Sequence, residues 1–213
     1  MSTDVSLADR VDAIVIGASA GGVEALSVLL PALPRGTVAP IFIVLHLPRD
    51  RPSLLVDIFQ AKCALPVREA DDKEPVEAGT VYFAPPDYHL LLDAGPMLAL
   101  SADAPVHYSR PSIDVLFESA AVVYGERLLG MVLTGANEDG TAGCEAVRRA
   151  GGLTLVQHPD SAQSSTMPAS ALRRVETSSV LSLEAIAELL GTLATAPRPA
   201  GGGARAGKRM QAR

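Results

Sequence analysis

Three polar side chains of this sequence stand at the ends of short apolar runs: Ser19, His46 and Asp139. A serine, a histidine and an aspartate that meet in one crevice form an activated nucleophile. The imidazole takes the hydroxyl proton, while the carboxylate fixes the ring tautomer and stabilises its cation. The first hypothesis is therefore nucleophilic catalysis by a serine, which requires a fold that brings three distant stretches of sequence together.

The serine lies in a turn of small residues, GASAGG (17–22), between an apolar run and a helical pattern. Its small neighbours allow a tight turn and the close approach of a substrate carbonyl, and N–H groups at the helix start point the same way. Gly17-x-Ser19-x-Gly21 is typical of a nucleophile elbow. A dinucleotide-binding turn fits less well, since its middle glycine and the later ribose-binding acid are missing. A serine that only caps the helix is compatible with the same residues.

Two histidines end apolar runs and are alternative bases for the serine. His46 ends the run after the serine turn, whereas His158 ends a later one. Its place directly after the serine turn favours His46, although spacing alone leaves both open. His89 and His107 fall in a hairpin and a loop, and we expect them at the surface or the rim.

The candidate carboxylate, Asp139, precedes Gly140 and a helical pattern. It can cap that helix and face the crevice at the same time. Three weaker candidates lie in turns or at helix starts: Asp87, Asp114 and Asp160.

The elements that must position these residues alternate between strands and helices. Apolar runs without polar alternation are typical of parallel strands covered on both faces, and they lie at 12–17, 40–46, 66–70, 128–134 and 153–157. Helical periodicity follows at 21–33, 53–62, 112–125, 141–150 and 182–194. Between residues 74 and 103, β-rich runs separated by turn residues predict an antiparallel β-hairpin region.

The predicted fold class is α/β, with a doubly wound, mostly parallel sheet and helices on both faces. In such a sheet the carboxyl ends of the strands converge on the ligand crevice. Residues that follow different strands can therefore meet there.

The 213 residues suffice for one hydrophobic core, so one domain is expected. We assign residues 1–11 to an N-terminal lead, 12–195 to the α/β domain, and 196–213 to a disordered basic tail rich in proline, glycine and alanine. All 24 acidic residues precede residue 189, whereas five of the 18 basic residues lie in the tail. The acidic domain argues against nucleic-acid binding, which needs a cationic surface.

The N-terminus lacks the apolar segment of a secretory signal, and no run approaches the roughly 18 apolar residues of a membrane span. Cys63 and Cys144 have no metal-ligand spacing, and we expect both to be reduced and buried. The sequence predicts a cytoplasmic protein that uses no metal and no other cofactor.

Five ordered blocks carry a family resemblance: GASAGGVEAL, VLHLP, VYFAPPDYHLLL, RPSIDVLFESAA and VLTGANEDGTAG. Together they resemble the catalytic domain of chemotaxis protein-glutamate methylesterases over roughly residues 12–194. The resemblance implies a hydrolase that removes methyl esters from glutamates on the cytoplasmic helices of methyl-accepting chemoreceptors. Many members also deamidate receptor glutamines.

Carried over by position, the resemblance makes Ser19 the nucleophile, His46 the general base and Asp139 the orienting acid. It also implies an oxyanion hole formed by the backbone amides of Ala20 and Ala136.

The block that contains Arg110 and Ser112 is expected to line the edge of a shallow, open substrate site. Four arginines, expected either to hold acidic receptor side chains or simply to face solvent, are Arg148, Arg149, Arg173 and Arg174.

Two departures from the family pattern affect these expectations. The strand-end motif Gly-Met-Gly-x-Asp-Gly is here GANEDG (135–140), so Ala136 loses packing and Asn137 must replace a glycine. We expect asparagine to be tolerated because it enters left-handed backbone more readily than most residues. The pattern begins by residue 12, so a domain without a receiver is expected, either constitutively available or regulated by a separate protein.

Two other functions remain open from the sequence. A weakened oxyanion hole would leave a non-catalytic module that binds receptor helices. A deep, apolar-lined pocket would instead favour an esterase that acts on small molecules.

Overall fold

The computed structural model describes residues 6–47 and 54–194. Nine strands lie in this part of the chain: β1 (Ala13–Ala18), β2 (Ile41–Leu45), β3 (Val67–Glu69), β4 (Val81–Phe83), β5 (His89–Asp93), β6 (Met97–Ser101), β7 (Leu128–Val132), β8 (Leu153–Gln157) and β9 (Ser179–Leu181). Seven α-helices accompany them: α1 (Leu7–Arg10), α2 (Gly22–Leu29), α3 (Leu55–Gln60), α4 (Ile113–Tyr124), α5 (Thr141–Arg149), α6 (Thr166–Arg174) and α7 (Leu183–Leu190). The predicted tail, 196–213, lies outside the described residues.

Seven strands form one sheet in the order β3-β4-β2-β1-β7-β8-β9, and every neighbouring pair is parallel. The chain winds outward in one direction from β1 through β2 and in the other from β7 through β8. The two directions separate between β1 and β7, which is the topological switch point of the sheet. Ligand crevices of open α/β sheets form at such a point, beyond the carboxyl ends of the strands.

Both faces of the sheet are buried, which explains the continuous apolar runs of its strands. Alternate side chains of β1 point to opposite faces: Ile14 and Ile16 enter one hydrophobic cluster, and Ala13 and Val15 enter the other. The first cluster includes residues of α2, α3 and α7, and the second includes residues of α4, α5 and α6. The predicted doubly wound α/β class is confirmed.

The hairpin prediction for residues 74–103 is confirmed in part. β5 and β6 pair antiparallel and form a separate two-stranded sheet. β4 lies in the same segment but joins the main sheet in parallel between β3 and β2. The apolar run of β4 has the continuous burial of a central strand, which its short length concealed in the sequence.

Two elements beyond β8 were missed, namely helix α6 and edge strand β9. Both cysteines are buried and unpaired. Within residues 6–47 and 54–194, no helix combines the length and the apolar character needed to cross a bilayer.

Candidate active site

Asp139 is fully buried at the carboxyl edge of the sheet, in the loop between β7 and α5. Its Oδ2 accepts hydrogen bonds from His46 Nε2 at 2.9 Å and from the Ile113 amide at 2.7 Å. Its Oδ1 accepts from the Ser112 hydroxyl at 2.9 Å and from the amides of Asp114 and Gly140, each at 3.0 Å. Five donors therefore converge on one carboxylate and hold it as the anion.

His46 follows β2 directly, and only 12% of its side chain is exposed. Its amide donates to the Ala18 carbonyl at 3.0 Å, so the residue remains tied to β1 beyond the end of its own strand. Because ionised Asp139 can only accept, Nε2 carries the proton of this pair and Nδ1 is left as the basic nitrogen. A neutral imidazole in this tautomer can take a proton at Nδ1.

Ser19 lies next to His46 at the same edge. Ala18 and Leu45 are partners in the register of β1 and β2, and Ser19 and His46 each follow directly. The Ser19 amide donates to the Thr134 carbonyl beyond β7 at 2.9 Å, which fixes the serine between two strands. In the described part of the chain, the Ser19 hydroxyl makes no hydrogen bond. The structure thus joins His46 to Asp139 and brings Ser19 to the adjoining strand end.

Gly21 determines the backbone conformation of the serine turn. Ser19 does not have a positive φ; the left-handed residue is Gly21, with φ 80°. Gly21 is also the N-cap of α2, and no side chain caps this helix, so Ser19 does not act as its cap. A Cβ at Gly21 would lie 2.7 Å from the Cβ of Gln163, so the turn requires glycine for space as well as for conformation.

The amides of Ala20 and Ala136 are free of protein acceptors within the described residues, and both residues are exposed. They follow β1 and β7, the two strands that border the switch point. Two unbonded N–H groups at adjacent strand ends have the character of an oxyanion-binding site.

Thr134, which the sequence analysis did not single out, connects these two strand ends. Its buried hydroxyl donates to the Ala20 carbonyl at 2.7 Å and accepts from the Ser164 amide at 2.9 Å. Its own amide donates to Oε1 of Gln157 at 2.9 Å. A threonine at the end of the apolar run 128–134 was the available signal, because it stands at the same sheet edge as Ser19 and His46.

A second carboxylate, Asp114, lies beside Asp139 and is only 4% exposed. Its Oδ1 accepts from the amides of Gly140 at 2.9 Å and Gly143 at 2.7 Å. Its Oδ2 is 3.4 Å from Nε2 of His107. The Gly140 amide is thus shared between the two carboxylates.

The two carboxyl groups have opposite pKa shifts. Burial and the charge of Asp139 raise the pKa of Asp114 to about 6, against the opposing effect of its amide donors and His107. Burial also acts to raise the pKa of Asp139, but the hydrogen bonds from His46 and from the amides at 113 and 114 outweigh it and leave that pKa below its usual value. Asp139 is therefore the anionic partner of His46 at neutral pH.

Of the two residues predicted to contact substrate, Ser112 instead holds the site together. Ser112 is fully buried, and its hydroxyl is used by Asp139, so it has no surface to offer a substrate. The Arg110 guanidinium donates to Asp87 at 2.8 and 3.1 Å and to the carbonyls of Ala102 and Asp103 at 2.6 and 3.0 Å. Arg110 lines a cavity together with His46, so its contact with substrate stays a prediction.

Neither His158 nor His89 contacts the His46–Asp139 pair. His158 is half-exposed, and its Nδ1 accepts from the Asp160 amide at 3.3 Å, so it caps a short turn after β8. The expectation that His89 lies at the surface or rim was wrong. It is 2% exposed, accepts from the Ser112 amide at 3.1 Å, and bonds the Ala104 carbonyl at 3.2 Å.

Comparison with known proteins decides the family. Residues 14–190 match the profile of the family described as CheB methylesterase. The chain belongs to this family. A solved CheB methylesterase catalytic domain, from Thermotoga maritima, superposes with a TM-score of 0.82 at 33% identity and covers 86% of this chain and 98% of that one.

Two relatives show how far the CheB likeness extends. A putative protein-glutamate methylesterase/protein-glutamine glutaminase of Leptospira interrogans is 45% identical over 178 residues, which are 84% of this chain and 92% of the relative. A Symbiobacterium thermophilum protein of the same name, without "putative", is 37% identical over 177 residues, which are 83% of this chain and 49% of the relative.

Asn137 replaces a glycine of the CheB strand-end motif, but not in the left-handed conformation that we expected. Asn137 does not have a positive φ, so no left-handed conformation needs to be tolerated there. Its Oδ1 accepts from the Asp139 amide at 3.3 Å, which supports the loop that carries the carboxylate. The glycine that this turn requires is Gly140, with φ 96°, where a Cβ would lie 2.9 Å from the Ile113 side chain.

Proposed function

We propose that this chain is a serine hydrolase that removes methyl groups from glutamate methyl esters on the cytoplasmic helices of chemoreceptors. The observation that carries the proposal is the 2.9 Å contact between His46 and a buried Asp139, at the strand edge where Ser19 also lies. Membership of the CheB methylesterase family supports the same substrate. Because relatives are also named protein-glutamine glutaminases, the proposal extends to deamidation of receptor glutamines.

In the proposed reaction, Ser19 Oγ attacks the glutamyl carbonyl carbon while His46 Nδ1 takes the hydroxyl proton. Asp139 stabilises the imidazolium that forms. The tetrahedral intermediate expels methoxide, which receives the proton from His46 and leaves as methanol. Water, deprotonated by the same imidazole, then hydrolyses the acyl-enzyme to glutamate. With a glutamine substrate, ammonia leaves in place of methanol.

The amides of Ala20 and Ala136 would bind the oxyanion of both tetrahedral intermediates. Backbone N–H groups supply this stabilisation whatever side chain they carry, so alanine at 136 keeps the donor. Loss of one such donor costs on the order of 10²–10³ in rate, which sets the size of the contribution.

A turn next to His46 supports a protein substrate rather than a small molecule. His107 and Tyr108 both have positive φ, 47° and 62°, at the tip of a turn closed by two hydrogen bonds between Val106 and Ser109. Two left-handed non-glycine residues in sequence carry a conformational cost. The Tyr108 side chain is 99% exposed beside a cavity of about 70 Å³ that it shares with His46. We propose that this turn contacts the receptor helix beside the ester.

The direct test is methanol release from membranes that carry a methylated receptor. Ser19→Ala should reduce release to background, because the nucleophile is lost. Ser27→Ala, on α2, should release methanol like the unmodified protein. Retained release by Ser19→Ala would reject the nucleophile assignment.

A fluorophosphonate probe separates the alternatives, because an activated serine displaces its fluoride and becomes covalently labelled. Labelled Ser19 without methanol release from receptor would indicate an esterase with another substrate. Absence of labelling, with retained binding to receptor, would indicate a non-catalytic binding module.

A further inference from the structure

We propose that Asp114 is a positioning residue of the active site, which acts on the chemistry through Asp139 and through the 136–140 loop. The inference rests on the function proposed above, since it assigns Asp114 a role in the same reaction. Four observations support it: an exchange of helix caps, the charge of the cap, the neighbouring groups, and the loop that the cap holds.

Helices α4 and α5 exchange caps. Asp139, just before α5, accepts from the amides of Ile113 and Asp114 in the first turn of α4. Asp114, in that first turn, accepts from the amides of Gly140 and Gly143 at the start of α5. Each helix start thus supplies the carboxylate that satisfies the other's unpaired N–H groups. Neither carboxylate can move without disturbing the helix that holds its partner.

Capping of α5 does not require the negative charge of Asp114. A neutral serine or asparagine caps a helix as well as aspartate does. An ionised Asp114 instead stands beside ionised Asp139 in a buried site, and the raised pKa of Asp114 reflects that cost. A destabilising arrangement kept next to reacting groups is typical of functional sites.

The groups that face Asp114 come from three elements. Asp139 approaches from the β7–α5 loop, His107 from the 106–109 turn, and the Cys144 thiol from α5. Glu138 acts through His107, whose Nδ1 lies 3.9 Å from Glu138 Oε1. Except for His107 when protonated, none of these groups brings a positive charge to Asp114.

The loop held by Asp114 carries two functional groups, the Ala136 amide and the Asp139 carboxylate. Anchoring at Gly140 and Gly143 fixes the end of this loop, while the second negative charge favours the imidazolium that forms on His46 during reaction. Loss of the charge should therefore slow Ser19, and loss of the anchor should slow it further, because small displacements of a reacting group are costly in rate.

The test compares Asp114→Asn, which keeps an oxygen acceptor, with Asp114→Ala, which removes it. The readout is the rate of fluorophosphonate labelling of Ser19 as a function of pH. We expect Asp114→Asn to label about tenfold more slowly at pH 7.5. The acid limb of its profile should move to lower pH by on the order of half a unit, because the imidazolium loses a neighbouring negative charge.

Ser182→Ala is the matched control, since Ser182 caps α7 through the Ala185 amide, outside the network of Asp114 and Asp139. Its labelling profile should superpose on that of the unmodified protein. An Asp114→Asn profile that also superposes would overturn the proposal, because a purely structural cap would leave the acid limb in place.

Amide hydrogen exchange tests the exchange of caps without reference to activity, and it decides the matter even if Ser19 proves unreactive. Asp114→Asn should keep protection at Gly143, and Asp114→Ala should lose it. In Asp114→Ala, protection at Ile113, which is bonded to Asp139, should fall as well. Unchanged protection at Ile113 would show that the two caps are independent and would overturn the proposal.

Discussion

The two edges of the sheet differ in how they use polar groups. At the carboxyl edge, Asp139 accepts five hydrogen bonds in a fully buried site. At the amino edge, a hollow of about 460 Å³ lies between the ends of α5 and α6. Its closest ion pair, Arg174 with Glu145, is 3.8 Å long and exposed.

The charged groups of the two edges therefore differ in burial and in how closely they are partnered. What marks the carboxyl edge is the convergence of buried donors on a charged group, which costs free energy unless every partner is in place. The arginines of α5 and α6 lie at the amino edge of the sheet, whereas Ser19 lies at the carboxyl edge. Their distance from the strand ends favours a solvated helix face over contact with acids around a methylated glutamate.

The largest expected effect contrasts two histidines that both end strands. His46→Ala should reduce kcat by about 10²–10⁴, since it removes the proposed base. His158→Ala should leave kcat within twofold, because His158 caps an exposed turn. The measurement is methanol release under saturating receptor. The reverse order of effects would move the base to residue 158.

A smaller loss of kcat is expected when alanine replaces the glycine of the serine turn. Gly21→Ala should lower kcat by roughly 10²-fold, because a Cβ there meets Gln163 and displaces the serine turn. Gly95→Ala is the control, since Gly95 has a similar φ of 84° but nothing within 4 Å of an added Cβ. Both variants should lose about 1 kcal/mol of unfolding free energy from left-handed backbone, but only Gly21→Ala should lose activity. Equal loss of activity would contradict the packing argument.

Asp114 should make stability depend on pH. Because its pKa is raised from 3.8 to about 6, the folded state binds more protons than the unfolded state between these pH values. The free energy of unfolding therefore falls as pH rises through this range. Above about pH 6, Asp114 is ionised in the folded state, and the full cost of burying its charge is present. Asp114→Asn does not titrate, so its stability relative to the unmodified protein should rise by about 2–3 kcal/mol between pH 4 and pH 7.5.

Urea unfolding at the two pH values measures this difference. Asp160→Asn, which changes a carboxylate that is 93% exposed, should show no comparable trend. If the stability difference between Asp114→Asn and the unmodified protein is the same at both pH values, the Asp114 carboxyl group of the unmodified protein has its ordinary pKa.

The smallest effect concerns substrate contact at each edge. Tyr108→Ala should raise KM for methylated receptor about threefold to tenfold while kcat changes little, because one exposed aromatic contact is worth on the order of 1 kcal/mol. Arg148→Ala, at the amino edge, should change neither constant. If Arg148→Ala raises KM more than Tyr108→Ala does, the receptor contacts the amino edge of the sheet.

Much of the fold could be predicted from the sequence because buried parallel strands and their helices leave a clear periodic pattern. The strands around Ile14, Ile43 and Met131 lie where their apolar runs predicted them. β9 could not be found, because its three residues, Ser179–Leu181, are too few to give an apolar pattern. Helix α6 was missed because its short apolar face, Met167 and Ala171, is interrupted by Pro168.

At the site, residue type at a strand end predicted which side chains gather but not what each one contacts. The contact between His46 and Asp139 follows from the parallel order of the strands. The burial of Ser112 does not, because a serine before a helix pattern is equally consistent with an exposed cap. Asp114 was set aside for the same reason: its partners, Gly140 and Gly143, lie 26 and 29 residues away and join it only in the packed structure.

The wide separation of Asp139 from its partners has a consequence for synthesis of the chain. A ribosome-bound fragment that ends before this aspartate already contains the serine and the histidine, but it has no acceptor to orient the ring. The imidazole therefore gains its partner only after the chain has been made past residue 139 and α4 and α5 have docked. The proposed hydrolysis would then require this docking, so fragments that end before Asp139 would not act on receptors.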